Sequence, residues 1–261
     1  MGGQDIARGL NPAQPISSDD MAALMRVLHE KVQTSIRNRS VNPLMDFVYS
    51  NLMGGAKFIA HIPVACGKGC SHCCNLWVEA TPPEVLYTVK KMPPEQRQQA
   101  AEAVERVCSR TAHVTFQDRC GKVNPPCPLL IDHACSVYES RPLVCRTGVS
   151  TDADRCRRMF VEGEKDVGIP TLKVWVTLRK SYSTALEGAL IRSGLAYHPR
   201  DWNVSLRIAL SNPDAEARWL AGSDDFSDAP IAPAPGTFDS PLWRDIYQQA
   251  FGSLPAQPSR L

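Results

Sequence analysis

The chain has little net charge and no long apolar run. Its 29 Lys and Arg residues nearly balance 27 Asp and Glu residues, and the formal net charge is +2. Such a balance gives no electrostatic reason to expect binding to nucleic acid. A membrane-spanning helix needs about 20 consecutive, mostly apolar residues, and no stretch of this sequence approaches that length. We therefore expect neither nucleic acid nor a membrane as a partner.

The residue groups on which many enzymes rely are also missing. The sequence offers no pairing of a nucleophile with a base, no carboxylate pair and no glycine-rich loop for a nucleotide. Glu79 and Glu84 are better explained as a solvent-exposed carboxylate and a helix cap, respectively. No catalytic residue is assigned, and the sequence favours a non-enzymatic protein.

Cysteine, in contrast, is abundant, with ten residues in 261. Four fall within nine positions, in the segment Cys66-Gly-Lys-Gly-Cys70-Ser-His-Cys73-Cys74, which we call the knuckle. Four more follow with the spacing C-x7-C-x9-C-x10-C. The eight candidate metal ligands are Cys66, Cys70, Cys73, Cys74, Cys127, Cys135, Cys145 and Cys156. Thiolates are preferred by soft ions such as Zn²⁺ and cluster iron, so this pattern predicts a metal or iron–sulfur site.

The sequence leaves the number of metal centres open. Eight thiols can form two four-sulfur sites, or one site and a reserve, and a single [4Fe–4S] cluster needs only four. Successive side chains usually point apart, so we expect one of Cys73 and Cys74 to serve a different metal, to bridge, or to stay outside the coordination shell. The cofactor is predicted as zinc or iron, with a [4Fe–4S] cluster as one form.

Several other residues are candidates for a role at the metal site. Four bound thiolates leave excess negative charge, which favours nearby cations. The candidate cations are Lys68, Arg141, Arg146, Arg157 and Arg158, each with solvated surface charge as the alternative. His72 and His133 lie close enough to coordinate, but with eight thiols present we expect them outside the shell. Cys108 is predicted to be a core residue, and Cys120 to be a spare ligand or, preferably, an exposed thiol.

A disulfide framework is the main alternative to metal binding. Secreted disulfide scaffolds are usually short and carry an export signal, whereas this chain has 261 residues and begins without an apolar segment. We therefore expect a reducing compartment and a cytoplasmic protein.

The motifs around the cysteines resemble a known family. The resemblance rests on the knuckle spacing, on Thr81-Pro-Pro-Glu84, on Cys127-Pro-Leu-Leu130 and on Arg141-Pro-Leu-Val-Cys145-Arg146. These features are similar to those of the YkgJ-like cysteine-cluster family, also called the CxxCxxCC domain, over roughly residues 60 to 160. The resemblance implies chelation of zinc or iron and implies no reaction.

The rest of the sequence predicts a mainly α protein. An irregular cysteine-cluster core is expected between flanking helices, followed by a flexible C-terminal tail. The predicted helices cover about 17–38, 42–55, 81–92, 94–112, 170–195, 202–210 and 213–220, with short pieces after 152 and 240. A strand over 172–178 is the alternative for one helix start. The predicted segments are 1–56, 57–165, 166–222 and 223–261, the last comprising a linker and a short amphipathic helix.

Two classes of function follow. The first is a non-enzymatic protein that binds zinc or iron through the eight cysteines. The second is an iron–sulfur redox enzyme or a metal-dependent modifying enzyme, suggested because eight thiols exceed one structural site. The predicted partner is the metal ion. The C-terminal helix is expected to dock on the body of the protein, with binding to another protein as the alternative.

Overall fold

The computed structural model describes residues 5–112, 114, 125–231 and 240–254, and within them the fold is mainly α, as predicted. Ten α-helices lie in these residues. They are α1 (Ser18–Arg37), α2 (Asn42–Ala56), α3 (Pro82–Lys91), α4 (Pro94–Thr111), α5 (Leu143–Thr147), α6 (Ala153–Phe160), α7 (Lys173–Arg192), α8 (Trp202–Ser211), α9 (Ala215–Leu220) and α10 (Pro241–Phe251).

The strands in the described residues are short and form two antiparallel pairs. β1 (Glu79–Ala80) pairs with β4 (Arg200–Asp201), and β2 (Leu130–Ile131) pairs with β3 (Ala134–Cys135) in a tight hairpin. The first pair ties the end of the knuckle region to the start of α8. The second lies within the later cysteine group.

Two helix starts follow from capping boxes. Ser17 and Asp20 cap α1 reciprocally, and Thr81 and Glu84 do the same for α3. In each box a side-chain oxygen accepts hydrogen bonds that the first helical turn leaves unpaired. Both boxes are local sequence signals, and both predicted starts are confirmed.

The helices share an apolar core that surrounds α1. This helix packs on α2, α7 and α10, and its residues Leu24, Leu28 and Val32 are fully buried. Its approach to α7 depends on Gly188, where a Cβ would lie 2.4 Å from Sδ of Met25. α7 is helical from Lys173 onward, so the helix prediction is confirmed over the strand alternative.

One boundary differs from the sequence prediction. The linker was expected to begin at residue 223, but residues 223–231 pack against the body. Phe226 is fully buried, and Asp224 and Asp225 form ion pairs with Arg200 and Arg218. The composition of this stretch resembles a linker, although Phe226 anchors it in the core and its two acidic residues pair with arginines that are distant in the sequence. Residues 232–239, the rest of the predicted linker, lie outside the described part of the chain.

The C-terminal helix α10 docks on the protein's own α1. Trp243, Ile246 and Tyr247 are buried there, and Trp243 stacks on Tyr247 at 5.0 Å between ring centroids. The apolar side of α10 is thus occupied within the chain, and binding of a protein partner through it stays a prediction. The division into four segments also stays a prediction.

None of the described helices combines the length and the apolar character that a transmembrane span requires.

Candidate metal centre

The knuckle is a sequence of tight turns that ends in a 3₁₀ turn, His72–Asn75. Gly69 has φ +96°, in the left-handed region that favours glycine. The N–H of Cys70 donates to the carbonyl of Gly67 over 3.1 Å, which closes the turn around Lys68. The glycines therefore allow the first two thiols to lie on one short loop.

The later cysteine group returns to the knuckle through backbone hydrogen bonds. The N–H of Cys127 donates to the carbonyl of Cys74 over 2.8 Å, and the N–H of Ala65 donates to the carbonyl of Ser150, also over 2.8 Å. The N–H of Ser150 lies 3.3 Å from Sγ of Cys66, which accepts this hydrogen bond. Two parts of the chain that are far apart in sequence are thus joined at both ends of the knuckle.

Cys156 reaches the knuckle from α6, which packs directly on the 3₁₀ turn. Burial raises the pKa of the Cys156 thiol, and charge on Cys66 and Cys70 raises it further. The pKa of Cys70 is raised by burial and then by Cys66 and Cys73. Cys66, Cys70 and Cys156 therefore form one electrostatic neighbourhood.

Cys127, Cys135 and Cys145 form a second neighbourhood. The pKa of Cys127 is raised to about 11, chiefly by burial and also by the nearby charge of Cys135. Burial also raises the pKa of Cys145, to which Cys127 and Cys135 contribute as neighbouring charges. Close thiols that cannot all ionise together suit a site in which a cation balances their charge.

Cys73 acts on both neighbourhoods. Its charge contributes to the raised pKa values of Cys70 and Cys156 on one side and of Cys127 and Cys145 on the other. The pKa of Cys73 itself is raised, first by a hydrogen bond with Cys74 and then by burial. Charge on Cys73 is therefore coupled to thiols of both groups.

The side chains as placed do not form a finished coordination shell. In the described part of the chain, no group of three or more His, Cys, Asp or Glu side chains has the arrangement that holds a metal ion. All eight cysteines of the predicted set are free thiols rather than disulfides. A metal would have to draw these thiols together.

This cysteine-rich region is also the part of the chain that a known family matches. Residues 65–163 match the model of the CxxCxxCC family, described as "Putative zinc- or iron-chelating domain". We call residues 65–163 the CxxCxxCC domain, after the family model that they match. The match spans all eight cysteines and supports binding of zinc or iron. No curated protein and no solved structure gives a significant match.

Arg141 is a cation that acts on several thiols of the CxxCxxCC domain. Its guanidinium stacks on the ring of Tyr138 at 3.5 Å, and Nε donates to the carbonyl of Cys145 over 3.3 Å. Its charge opposes the rise in the pKa values of Cys73, Cys135 and Cys145. Arg141 is thus placed to compensate negative charge on the sulfurs.

Arg146 has a structural position rather than a surface one. It is 8% exposed, and its guanidinium lies 4.0 Å from the ring of Tyr49. Nε donates to the carbonyl of Arg141 over 2.9 Å, and Nη2 donates to that of Glu139. Burial lowers the pKa of Arg146. These bonds fold residues 139–146 into one compact turn that carries Cys145.

The other two candidate arginines lie on the surface. Arg157 pairs with Asp154 and Glu162, and Arg158 pairs with Glu164. All of these side chains are more than a third exposed, so the pairs are largely screened by solvent. The solvated-surface alternative therefore describes these two residues.

An open groove of about 400 Å³ leads to Cys135. Its walls include Lys68 of the knuckle, Tyr87 and Lys91 of α3, and Tyr138. A metal site needs an entry path, and this groove connects solvent to the second neighbourhood.

The remaining candidates fall in different places. Cys108 is buried on α4, which confirms it as a core residue. His133 is exposed at the tip of the β2–β3 hairpin, and His72 is half-buried within the 3₁₀ turn. Cys120 lies outside the described residues.

Some contributors to the site carried no clear signal in the sequence. Ser150 donates its backbone N–H to Cys66, and its side chain hydrogen bonds to Cys156. Trp202 hydrogen bonds to the Cys127 thiol from a distant helix. Tyr49 lies on the buried face of α2 with Val48 and Leu52, and helical periodicity could have placed it there but not under Arg146.

Proposed function

We propose that the CxxCxxCC domain binds zinc or iron through thiolates of its eight cysteines and that the bound metal holds the domain together. The observation that carries this proposal is the return of Cys127 and Ser150 to the knuckle. Their hydrogen bonds to Cys74 and Cys66 put both cysteine groups side by side within residues 65–163.

The chemistry of the donors fits a soft cation. The thiols are free of disulfide bonds, clustered and partly buried, and the raised pKa values of Cys145 and Cys156 come from burial and from repulsion by neighbouring thiolates. A bound cation reverses both effects, because it stabilises each thiolate that the neighbouring sulfurs destabilise. Rotation about χ1 is the simplest motion that brings these short side chains onto a common ion.

The electrostatic coupling of Cys73 supports a shared role for this thiol. Its charge raises the pKa values of Cys70 and Cys156 in the first neighbourhood and of Cys127 and Cys145 in the second. In a two-metal site Cys73 would bridge the two metal ions. In a single-metal site it would bind the ion together with the cysteines of one neighbourhood only. Cys74 then supplies the eighth thiol, or stays a hydrogen-bond partner of Cys73.

The proposed role is non-catalytic, with the metal acting as a structural or stored ion. The free thiols suit a reducing compartment such as the cytoplasm. The short elements of the domain support a structural metal, since α5 has five residues and α6 has eight. Helices of this length are marginal without tertiary support.

The identity of the metal is tested by anaerobic purification followed by elemental analysis and visible absorption. Stoichiometric zinc in a colourless protein supports a structural thiolate site. Iron with labile sulfide and broad absorption near about 400 nm supports a cluster held by cysteine thiolates. A protein that is folded, fully reduced and free of both metals even after reconstitution would overturn the proposal.

A metal-dependent enzyme is the second candidate, favoured by the groove that opens on Cys135. An enzyme site needs a coordination position that a substrate can enter. Cobalt-loaded protein tests this candidate, because an added ligand such as cyanide alters the visible spectrum of an open site. An unchanged spectrum would argue against an open coordination position and would favour the non-catalytic role.

A further inference from the structure

Glu84 makes one more hydrogen bond than its helix cap requires. The side chain is 4% exposed, and Oε2 accepts from the N–H and the hydroxyl of Thr81 over 2.8 and 2.7 Å. These two bonds belong to the capping box of α3. Oε1 accepts from the N–H of Leu143 over 2.7 Å, 59 positions further along the chain. This third bond reaches into the CxxCxxCC domain.

The third bond fixes the start of the helix that carries Cys145. Leu143 is the first residue of α5, and its N–H has no partner within the helix because it lies in the first turn. Cys145 follows two residues later. Since α5 has only five residues, its own hydrogen bonds do not define its position, and contacts from outside the helix, Glu84 among them, are needed to hold it.

A second tie holds the same segment to α3. The hydroxyl of Thr88, one helical turn after Glu84, donates to the carbonyl of Ser140 over 2.6 Å. Thr88 is fully buried, and Ser140 is 5% exposed. The segment 140–143 is therefore hydrogen bonded to α3 at two positions. The start of α3 is itself stabilised by the capping box of Thr81 and Glu84.

The direction of support follows from the sizes of the elements. α3 has ten residues, seven of them buried, and contacts α2, α8 and α9. α5 is shorter, packs on α7 and touches β1. Glu84 adds a charged hydrogen-bond acceptor that links the larger helix α3 to the first turn of α5.

We propose that Glu84 is a positioning residue of the metal centre, which holds Cys145 in place for coordination through the N–H of Leu143. This inference rests on the proposed metal binding. Residues that hold metal ligands from outside the coordination shell change affinity by about 10–100-fold when they are removed. An amide at position 84 has one acceptor oxygen, so it cannot serve both Thr81 and Leu143.

The test compares Glu84→Gln with a matched control, Asp20→Asn. Asp20 is 6% exposed and accepts from the N–H and hydroxyl of Ser17 in the capping box of α1, far from the cysteines. Both variants weaken a buried cap. Zinc affinity is measured by competition with a chromophoric chelator, and cobalt-loaded samples report thiolate ligation through their charge-transfer absorption.

The expected result is a loss of zinc affinity of about 10–100-fold in Glu84→Gln, with weaker cobalt–thiolate absorption. Asp20→Asn should lose stability against urea and keep wild-type affinity and absorption. Equal affinity in wild type and Glu84→Gln would overturn this inference and leave the proposed function standing. A wild-type protein that binds no zinc would overturn both.

A second measurement needs no variant and applies if Glu84→Gln does not fold. Hydrogen exchange at the amide of Leu143 is followed in zinc-loaded and chelated wild-type protein. Because its acceptor is Glu84 rather than the metal, this amide should stay protected after zinc is removed. Exchange at the unprotected rate in both samples would show that Glu84 does not hold α5.

Discussion

Removal of the metal is expected to loosen the CxxCxxCC domain while the surrounding helices stay folded. In the described parts of residues 65–163, the knuckle and the segment 127–160 contain only two-residue strands and short helices. The fully buried apolar residues lie mostly elsewhere, on α1, α2, α7 and α8. The thiol-rich segments therefore have little apolar burial of their own to keep them ordered.

The size of the effect follows from comparing two free energies. A structural zinc ion contributes about 10–16 kcal/mol at neutral pH, which is comparable with the whole stability of a typical domain, about 5–15 kcal/mol. Amides in the loaded domain should then exchange only through global unfolding. Without metal, the amides of the thiol-rich turns should exchange through local opening, whereas the amide of Leu143, held by Glu84 of α3, should stay protected. A difference of about 4 kcal/mol corresponds to about 1,000-fold faster exchange.

Hydrogen exchange measured by mass spectrometry distinguishes the two states. The reporters are the amides of Cys70 and Cys127, which donate to Gly67 and Cys74. Peptides from the centre of α7 serve as the internal control. Faster exchange at the reporters with unchanged α7 supports the reasoning. Equal exchange in verified loaded and metal-free samples, or uniform acceleration along the whole chain, would refute it.

Three further outcomes test the fold around the site by urea unfolding. Gly188→Ala should destabilise the protein by about 1–3 kcal/mol, because the new methyl meets Met25; a raised midpoint would contradict this. Tyr247→Ala, in the docked α10, should cost about 3–5 kcal/mol, and a cost below about 1 kcal/mol would show that α10 is not packed on α1. Burial lowers the pKa of His29 below its usual 6.5, so wild-type stability should fall as pH drops from 6.5 toward the lowered value. His29→Gln should lack that decline, and an identical pH profile would contradict the assignment.

Most helices could be predicted because their signals are local. The boxes at Ser17 and Thr81 mark the starts of α1 and α3, and apolar spacing identifies α7. The stretch 223–231 could not be predicted in the same way. Its composition resembles a linker, and only the tertiary positions of Arg200 and Arg218 provide charge partners for Asp224 and Asp225.

At the candidate site, too, local features could be predicted from the sequence and tertiary contacts could not. Cysteine spacing identifies the eight thiols, because density in a short segment is visible in the sequence. The grouping around Cys73 depends on hydrogen bonds such as that between Ser150 and Cys66, which have no sequence pattern. Arg146 and Arg157 are equally plausible cations in the sequence, yet only Arg146 is buried, since it packs on Tyr49 from a distant helix.

X-ray absorption at the zinc edge of zinc-loaded protein tests the central claim most directly. The account predicts a first shell of sulfur at about 2.3 Å, which weakens when cysteines of the eight are replaced by serine and is unchanged in Cys108→Ala. A first shell made of nitrogen and oxygen at about 2.0–2.2 Å, unaffected by those replacements, would contradict thiolate binding by the CxxCxxCC domain.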